Sequence, residues 1–343
     1  MKTKAAILVE QKKDLVVDEI EIPKLEHGKV LVEIKATRIC GSQLGEIDGV
    51  KGPDHYLPHL LGHEAGGIVR EVGPMVGRVK EGDHVVCHWR PAPGMSGSCP
   101  TYDWNGTRVN AGHITTFSQH SIISESRLTP IEPKYGHEVS ALMADTITTG
   151  FGVISNDAKV RIGQSVCIIG VGGIGLGAVL GAKLAGANPI IAVDLFDQKL
   201  EQARKCGATH SINSSETSLK NALCDIIGKP EVEVMIEGTG NSKVIEEAYK
   251  NTSKDGTCVL FGVMRFDQKV SLNTLPLHFG RTLTGSEGGQ SKPHLDIPKY
   301  LKMMDDGLFD LDNFVSHRCK LEEINQAIAR MRSGESIHSL ITF

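Results

Sequence analysis

No two of the eight cysteines form a CxxC pair. They stand at positions 40, 87, 99, 167, 206, 224, 258 and 319, a spacing that fits neither a disulfide scaffold nor a zinc knuckle. Free thiols in a long chain point to a reducing compartment, the cytoplasm. Charge of one sign is not in excess: Lys plus Arg number 37, Asp plus Glu 41, and the net charge is −4. A nucleic-acid binder carries a basic footprint, so nucleic acid is not an expected partner. The opening MKTKAAILVEQKK has too short an apolar run for a secretory signal. The stretch between Arg161 and Lys183 carries no charge and is long enough to span a bilayer. Gly170, Gly172, Gly173, Gly175 and Gly177 interrupt it, however, and a strand, a turn and a helix fit it better, so no membrane is expected. Internal repeats and low-complexity segments are also missing.

What is present is length and glycine. At ~150 residues per domain, 343 residues suggest about two domains. Glycine is 38 of these residues, well above the ~7% average. Residues 1 to about 150 read as strands. VLVEIK (30–35) and GIVREV (67–72) alternate with the period of a half-buried sheet, and Gly73-Pro74 and Glu81-Gly82-Asp83 punctuate them. Near residue 165 the pattern changes. SVCIIG (165–170), IIAVD (190–194), VEVMIEG (232–238), TCVLFG (257–262) and RTLTGS (281–286) alternate with helical runs. That alternation predicts βαβ units around a parallel sheet. Two more helical runs, HLDIPKYLKMMDDG and LEEINQAIARMRSG, occupy the tail.

Gly170-Val171-Gly172-Gly173-Ile174-Gly175 fits GxGxxG between a predicted strand and a predicted helix, the context a dinucleotide fingerprint requires. The first glycine permits the tight turn, the second lets a pyrophosphate approach, and the third lets helix and strand pack. Backbone N–H groups at the helix start face the anion. Asp194 ends the next strand, where a carboxylate can take the adenosine ribose hydroxyls. A methyltransferase fold is the competing reading, since it also places an acidic residue after its second strand.

Cys40, His63, Glu64 and Asp145 are candidate metal-binding residues. Singly, each has a bland alternative: Cys40 as a small core residue, His63 as a turn cap, Asp145 as the N-cap of a helix starting at Thr146. Together, GHEAGGIVREVG, EGDHVV, TTGFG, IIGVGGIGLGA and the strand-final Asp194 resemble the zinc-dependent medium-chain dehydrogenases, the alcohol and sorbitol-like polyol dehydrogenases. The resemblance covers essentially the whole chain. It implies an α/β fold with a GroES-like β-rich catalytic domain (1–150, completed by 295–343) and a Rossmann domain with a doubly wound parallel sheet (151–294). The active site is then expected between the two.

The resemblance further implies NAD and one catalytic zinc, held by Cys40, His63 and Asp145. Many members have cysteine at the third position, and zinc accepts S, N and O ligands alike. Glu64 matches a glutamate near the metal that serves behind the ligands or exchanges with water. Ser42 matches the hydroxyl residue of the proton relay. Thr149, Ile174, Lys199 and Val263 match positions beside the cofactor. His88, Trp89, Arg90 and Glu287 match positions near the substrate, and their polarity suggests a polyol, cyclitol, aminocyclitol or sugar derivative; the alternative is that Trp89 fills the space of a missing zinc lobe and Arg90 faces solvent. Relatives assemble as dimers or tetramers.

Two departures stand out. The four-cysteine lobe of a structural zinc is reduced to Cys99, so a second zinc is not expected. The outer relay histidine is replaced by Gly45, leaving water or Glu46 to serve. A simple-alcohol dehydrogenase, a zinc-free enone or quinone reductase of the same superfamily, and a non-enzymatic binder that kept the fold are the alternatives.

Overall fold

The computed structural model describes residues 1–312 and 314–343. The chain divides into two compact units, Met1–Asp145 with Lys292–Phe343, and Thr146–Ser291. The divisions fall at 145/146 and 291/292 rather than at the expected 150/151 and 294/295. The first lies inside a continuous helical run, His137 to Asp157, and the residues on either side of it, Asp145 and Thr146, are neither glycine nor proline.

In the first unit a small closed barrel, Lys2–Leu8, Val16–Glu21, His59–Leu60, Thr101–Trp104 and Thr107–Asn110, adjoins a seven-stranded sheet. Three antiparallel neighbours of that sheet matter for the site: Lys29–Arg38, Glu64–Val72 and His84–His88. Because adjacent strands run oppositely, the end of the first, the start of the second and the end of the third lie at one edge. Thr37 pairs Ala65, and Glu64 pairs His88. Cys40, His63 and Trp89 therefore leave the sheet side by side. The tail joins the same sheet, with Ser339–Thr342 antiparallel to Lys29–Arg38 and parallel to His317–Cys319. Val30, Val32, Ile34, Val69, Val85 and Ile123 are buried in its core.

Asp145 reaches this edge from the helical run. Helix His137–Leu142 lies against Glu64–Val72 at Gly66, where a Cβ would come within 2.4 Å of the His137 carbonyl oxygen. Only glycine permits that approach. The run then widens into a π-type turn, Met143–Ile147, a distortion common at functional sites, and Asp145 sits within it. Asp145 is thus inside a helical run and not the N-cap of a helix starting at Thr146.

In the second unit six parallel strands lie in the order His210–Asn213, Ile190–Asp194, Val166–Ile169, Val232–Glu237, Thr252–Leu260, Thr282–Gly285. Numbered along the chain, this is 3-2-1-4-5-6, the Rossmann order. His210–Asn213 escaped the sequence reading because its four residues include no long apolar run. The uncharged stretch after Arg161 becomes the strand Val166–Ile169 and the helix Gly173–Leu184. Among the described residues no helix is long and apolar enough to cross a membrane.

Candidate functional site

One group of His, Cys, Asp and Glu residues able to hold a metal ion occurs among the described residues: Cys40, His63, Glu64 and Asp145, with ligand atoms all within 4.8 Å of one another. His63 Nε2 lies 3.5 Å from Asp145 Oδ2, and Cys40 Sγ lies 3.9 Å from the same oxygen. Tetrahedral zinc with ligands at ~2.0–2.3 Å needs edges of about 3.3–3.5 Å, so small adjustments complete the set. Nε2 is buried and has no hydrogen-bond partner, although the histidine as a whole is partly exposed. A buried imidazole nitrogen without a partner, facing a thiol and two carboxylates, suits a cation. Thiolate, carboxylate and neutral imidazole would balance its two charges.

The local electrostatics agree. Burial alone would depress the His63 pKa, but Asp145 and Cys40 hold it well above the usual histidine value. Burial pushes the Glu64 carboxyl up, while Arg38 pulls against it. Arg38 donates from Nε to Glu64 Oε1 at 2.9 Å, its Nη2 lies 2.8 Å from the same oxygen, and both side chains are almost fully buried. Breaking such a pair leaves a buried charge uncompensated, at a cost of ~3–5 kcal/mol.

Gln43 links Cys40, Ser42 and His63. Its Oε1 accepts from the Cys40 N–H at 2.8 Å, and its Nε2 donates to Ser42 Oγ at 3.3 Å. The same amide meets His63 Nδ1 at 2.6 Å, which leaves Nε2 as the ring atom facing the cluster. Sequence reasoning missed both Arg38 and Gln43. Gln43 had a signal: it stands three residues after Cys40, at the N3 position of helix Gly41–Ile47, where Glu or Gln completes a capping box. Arg38 had none, because arginine in a strand is ordinarily exposed.

Of the residues expected near the substrate, His88 needs correction. It is fully buried, Nδ1 bonds the Arg90 carbonyl at 2.7 Å, and Nε2 bonds Thr129 Oγ1 at 2.9 Å. Burial depresses its pKa to about 4. With both nitrogens engaged, it offers nothing to a substrate. Trp89 Nε1 donates to Asp145 Oδ1 at 2.8 Å, and the Arg90 guanidinium carbon lies 5.6 Å from the Trp89 ring centre. Glu287 is an exposed residue of the second unit, beside the turn Gly288–Gln290.

A cavity of about 760 Å³ in the first unit is bordered by His63, Gln43, Glu46, Lys51, His55 and Arg108. Gly45 and Cys99 line it too. Cys99 stands 3.9 Å from His113, and the segment after it forms the hairpin Thr101–Asn110 of the barrel.

The second unit carries the glycine turn. Gly170 has φ +87°, a Cβ on Gly172 would meet nothing within 4 Å, and one on Gly175 would come within 2.1 Å of the Gly170 carbonyl oxygen. These are the three roles of the fingerprint: turn, open approach and close packing. Asp194 Oδ2 accepts from the Val171 N–H at 3.1 Å, and Oδ1 accepts from Leu195 at 2.8 Å. Lys199 Nζ lies 3.8 Å from Asp194. Ile174 is in the first turn of the helix, Thr149 is buried and Val263 is exposed.

Known proteins match this arrangement along the whole chain. Residues 26–133 match the alcohol dehydrogenase GroES-like domain, and residues 173–306 match zinc-binding dehydrogenase. An alcohol dehydrogenase class-3 from Cereibacter sphaeroides is 32% identical, with both chains covered completely. An S-(hydroxymethyl)glutathione dehydrogenase from Escherichia coli is also 32% identical over all of both chains. Benzyl alcohol dehydrogenase from Acinetobacter calcoaceticus superposes with a TM-score of 0.90 at 27% identity, covering 100% of this chain and 99% of that one. The GroES-like barrel, the Rossmann sheet and these full-length matches lead to one conclusion: the chain belongs to the zinc-dependent medium-chain alcohol dehydrogenases, which use zinc and NAD as cofactors.

Proposed function

We propose that this dehydrogenase interconverts a secondary alcohol and its ketone on a polyhydroxylated small molecule such as a polyol, cyclitol, aminocyclitol or sugar derivative. The observation carrying this reading is the cavity of about 760 Å³ that reaches His63 and is bordered by Glu46, Lys51, His55 and Arg108. A two- or three-carbon alcohol would leave most of that volume, and most of those polar groups, to water. Groups placed to bond substrate hydroxyls penalise a molecule that lacks them.

Cys40, His63 and Asp145 would hold a single zinc, with Glu64 beside them on its Arg38 anchor. Bound there, zinc supplies a Lewis acid for the substrate oxygen, while NAD supplies the hydride acceptor. The chain's own part is orientation and proton handling. Gln43 fixes the His63 ring and the Cys40 backbone. Ser42 carries the proton, and Glu46 or water at the cavity wall receives it. The eight free cysteines fit a reducing compartment, the cytoplasm.

A substrate panel tests the reading, with kcat/KM measured for polyols, cyclitols and sugar derivatives against ethanol and 2-propanol. S-(hydroxymethyl)glutathione belongs in the panel, because the 32% identical relatives include a dehydrogenase named for it. Preference for a polyhydroxylated compound is expected. Preference for the small alcohols, or for the glutathione adduct, overturns the substrate class.

Asp194 sets the cofactor. Its carboxylate, held by Val171 and Leu195, accepts from ribose hydroxyls and repels a 2′-phosphate. We expect NAD to exceed NADP in kcat/KM by tenfold or more, about 1.4 kcal/mol. Equal or better use of NADP defeats this assignment.

Among the described residues the strand Thr282–Gly285 has a neighbour on one side only, Thr252–Leu260. The segment before it exposes Leu275, Leu277 and Phe279. Unpaired strand edges invite pairing, so a homodimer or homotetramer is expected. A 37.0 kDa species by light scattering at micromolar concentration contradicts it.

A further inference from the structure

We propose that Trp89 is a positioning residue for Asp145. Its indole N–H holds one carboxylate oxygen so that the other alone is presented to the metal. The inference rests on the zinc reading above and concerns how the third ligand is aimed.

The two oxygens of Asp145 have different surroundings. Oδ1 accepts from Trp89 Nε1 at 2.8 Å. Oδ2 faces His63 Nε2 at 3.5 Å and Cys40 Sγ at 3.9 Å. A carboxylate can bind a metal through one oxygen or two. A catalytic zinc site wants three protein ligand atoms and an open fourth position, and a second Asp145 oxygen would fill that position. An indole suits the task of restraint. It donates and cannot accept, it does not titrate, and it cannot ligate the metal through that nitrogen. Unlike lysine or arginine, it leaves the carboxylate its charge.

Trp89 is itself restrained. It follows directly on His84–His88, whose register against Glu64–Val72 is set by the pairing of Glu64 with His88. The Arg127 guanidinium donates to the Trp89 carbonyl, and Arg90 lies over its ring. The indole is therefore aimed from three sides. The arrangement also makes sense only for aspartate: a cysteine at position 145 would present one sulfur and no second acceptor. Trp89 and Asp145 should thus be coupled.

The experiment is a double-mutant cycle on the full-length protein, with zinc affinity read by chelator competition and geometry by the visible spectrum of the cobalt(II) form. Trp89→Phe keeps an aromatic ring and removes the N–H. It should weaken zinc binding ~10–100-fold, the usual cost of losing a ligand's outer partner, and should alter the cobalt bands. In an Asp145→Cys background the same substitution should change affinity less than about twofold, a coupling that a merely structural tryptophan would not show. Unchanged affinity and spectrum in Trp89→Phe overturn the inference, and so does an equal loss in both backgrounds. X-ray absorption at the zinc edge of the wild type gives a reading independent of any variant's folding. One carboxylate oxygen at ~2.0 Å supports the proposal, and two at bonding distance refute it. A wild type that takes up no zinc brings down the functional reading itself, an outcome distinct from a zinc-loaded wild type that Trp89→Phe matches.

Discussion

Asp145→Ala is expected to purify with well under one zinc per chain and to lose at least ~10³-fold in kcat/KM, about 4 kcal/mol of transition-state stabilisation. The magnitude follows from position. Losing a partner behind a ligand already costs ~10–100-fold in metal affinity, and Asp145 is itself proposed as a ligand. Its Oδ2 stands 3.5 Å from His63 Nε2 and 3.9 Å from Cys40 Sγ. Alanine there leaves two ligands, and it leaves Trp89 Nε1 without its acceptor. Asp145→Asn keeps the shape and removes the charge, so its zinc affinity should fall between the wild type and alanine. Asp145→Cys should retain zinc, because thiolate replaces carboxylate at equal charge. Metal content by elemental analysis and kcat/KM on the same preparations decide the matter. Full zinc and activity in Asp145→Ala would remove Asp145 from the ligand set. Two zincs per wild-type chain would contradict the single ion expected from a loop that keeps only Cys99.

The parts of this protein legible in sequence are those whose chemistry is local. The Rossmann unit announced itself because Gly170, Gly172 and Gly175 each answer a short-range demand, and because buried strands such as IIAVD are continuous apolar runs. Cys40, His63, Glu64 and Asp145 were nameable together as candidates, and antiparallel pairing of three strands plus the Gly66 contact gathers them. The parts that stayed hidden depend on distant partners. Nothing near Arg38 in the chain says that it will be buried against Glu64, 26 residues away. Nothing near His88 says that Thr129 will take its second nitrogen, and the polar triplet His88-Trp89-Arg90 accordingly read as a substrate surface. Trp89 instead donates its indole N–H to Asp145 Oδ1 at 2.8 Å. The π-type turn at Met143–Ile147 likewise left no mark in a run that suggested a helix start at Thr146.

Ser42→Ala should lower kcat by ~10²–10⁴-fold, the range for losing a positioned proton-transfer group, with zinc content unchanged. Ser42 is in the first turn of helix Gly41–Ile47, two residues from Cys40. One lone pair of its Oγ accepts from Gln43 Nε2 at 3.3 Å, which fixes the hydroxyl and leaves its own proton free to be passed on. The neighbouring sequence supplies no substitute. Gly45 has no side chain, and Glu46 and Lys51, 3.9 Å apart at the cavity wall, belong to the outer end of the proposed relay. The loss in Ser42→Ala should therefore appear in kcat, with zinc affinity and overall fold preserved, since alanine is a good helix residue at this site. Ser42→Thr keeps the hydroxyl and should restore most of the rate. Histidine placed at Gly45 alone should not rescue Ser42→Ala, because the inner step would still be missing. An unchanged kcat in Ser42→Ala, measured under saturating substrate, would take the serine out of the mechanism and leave the first proton step to water.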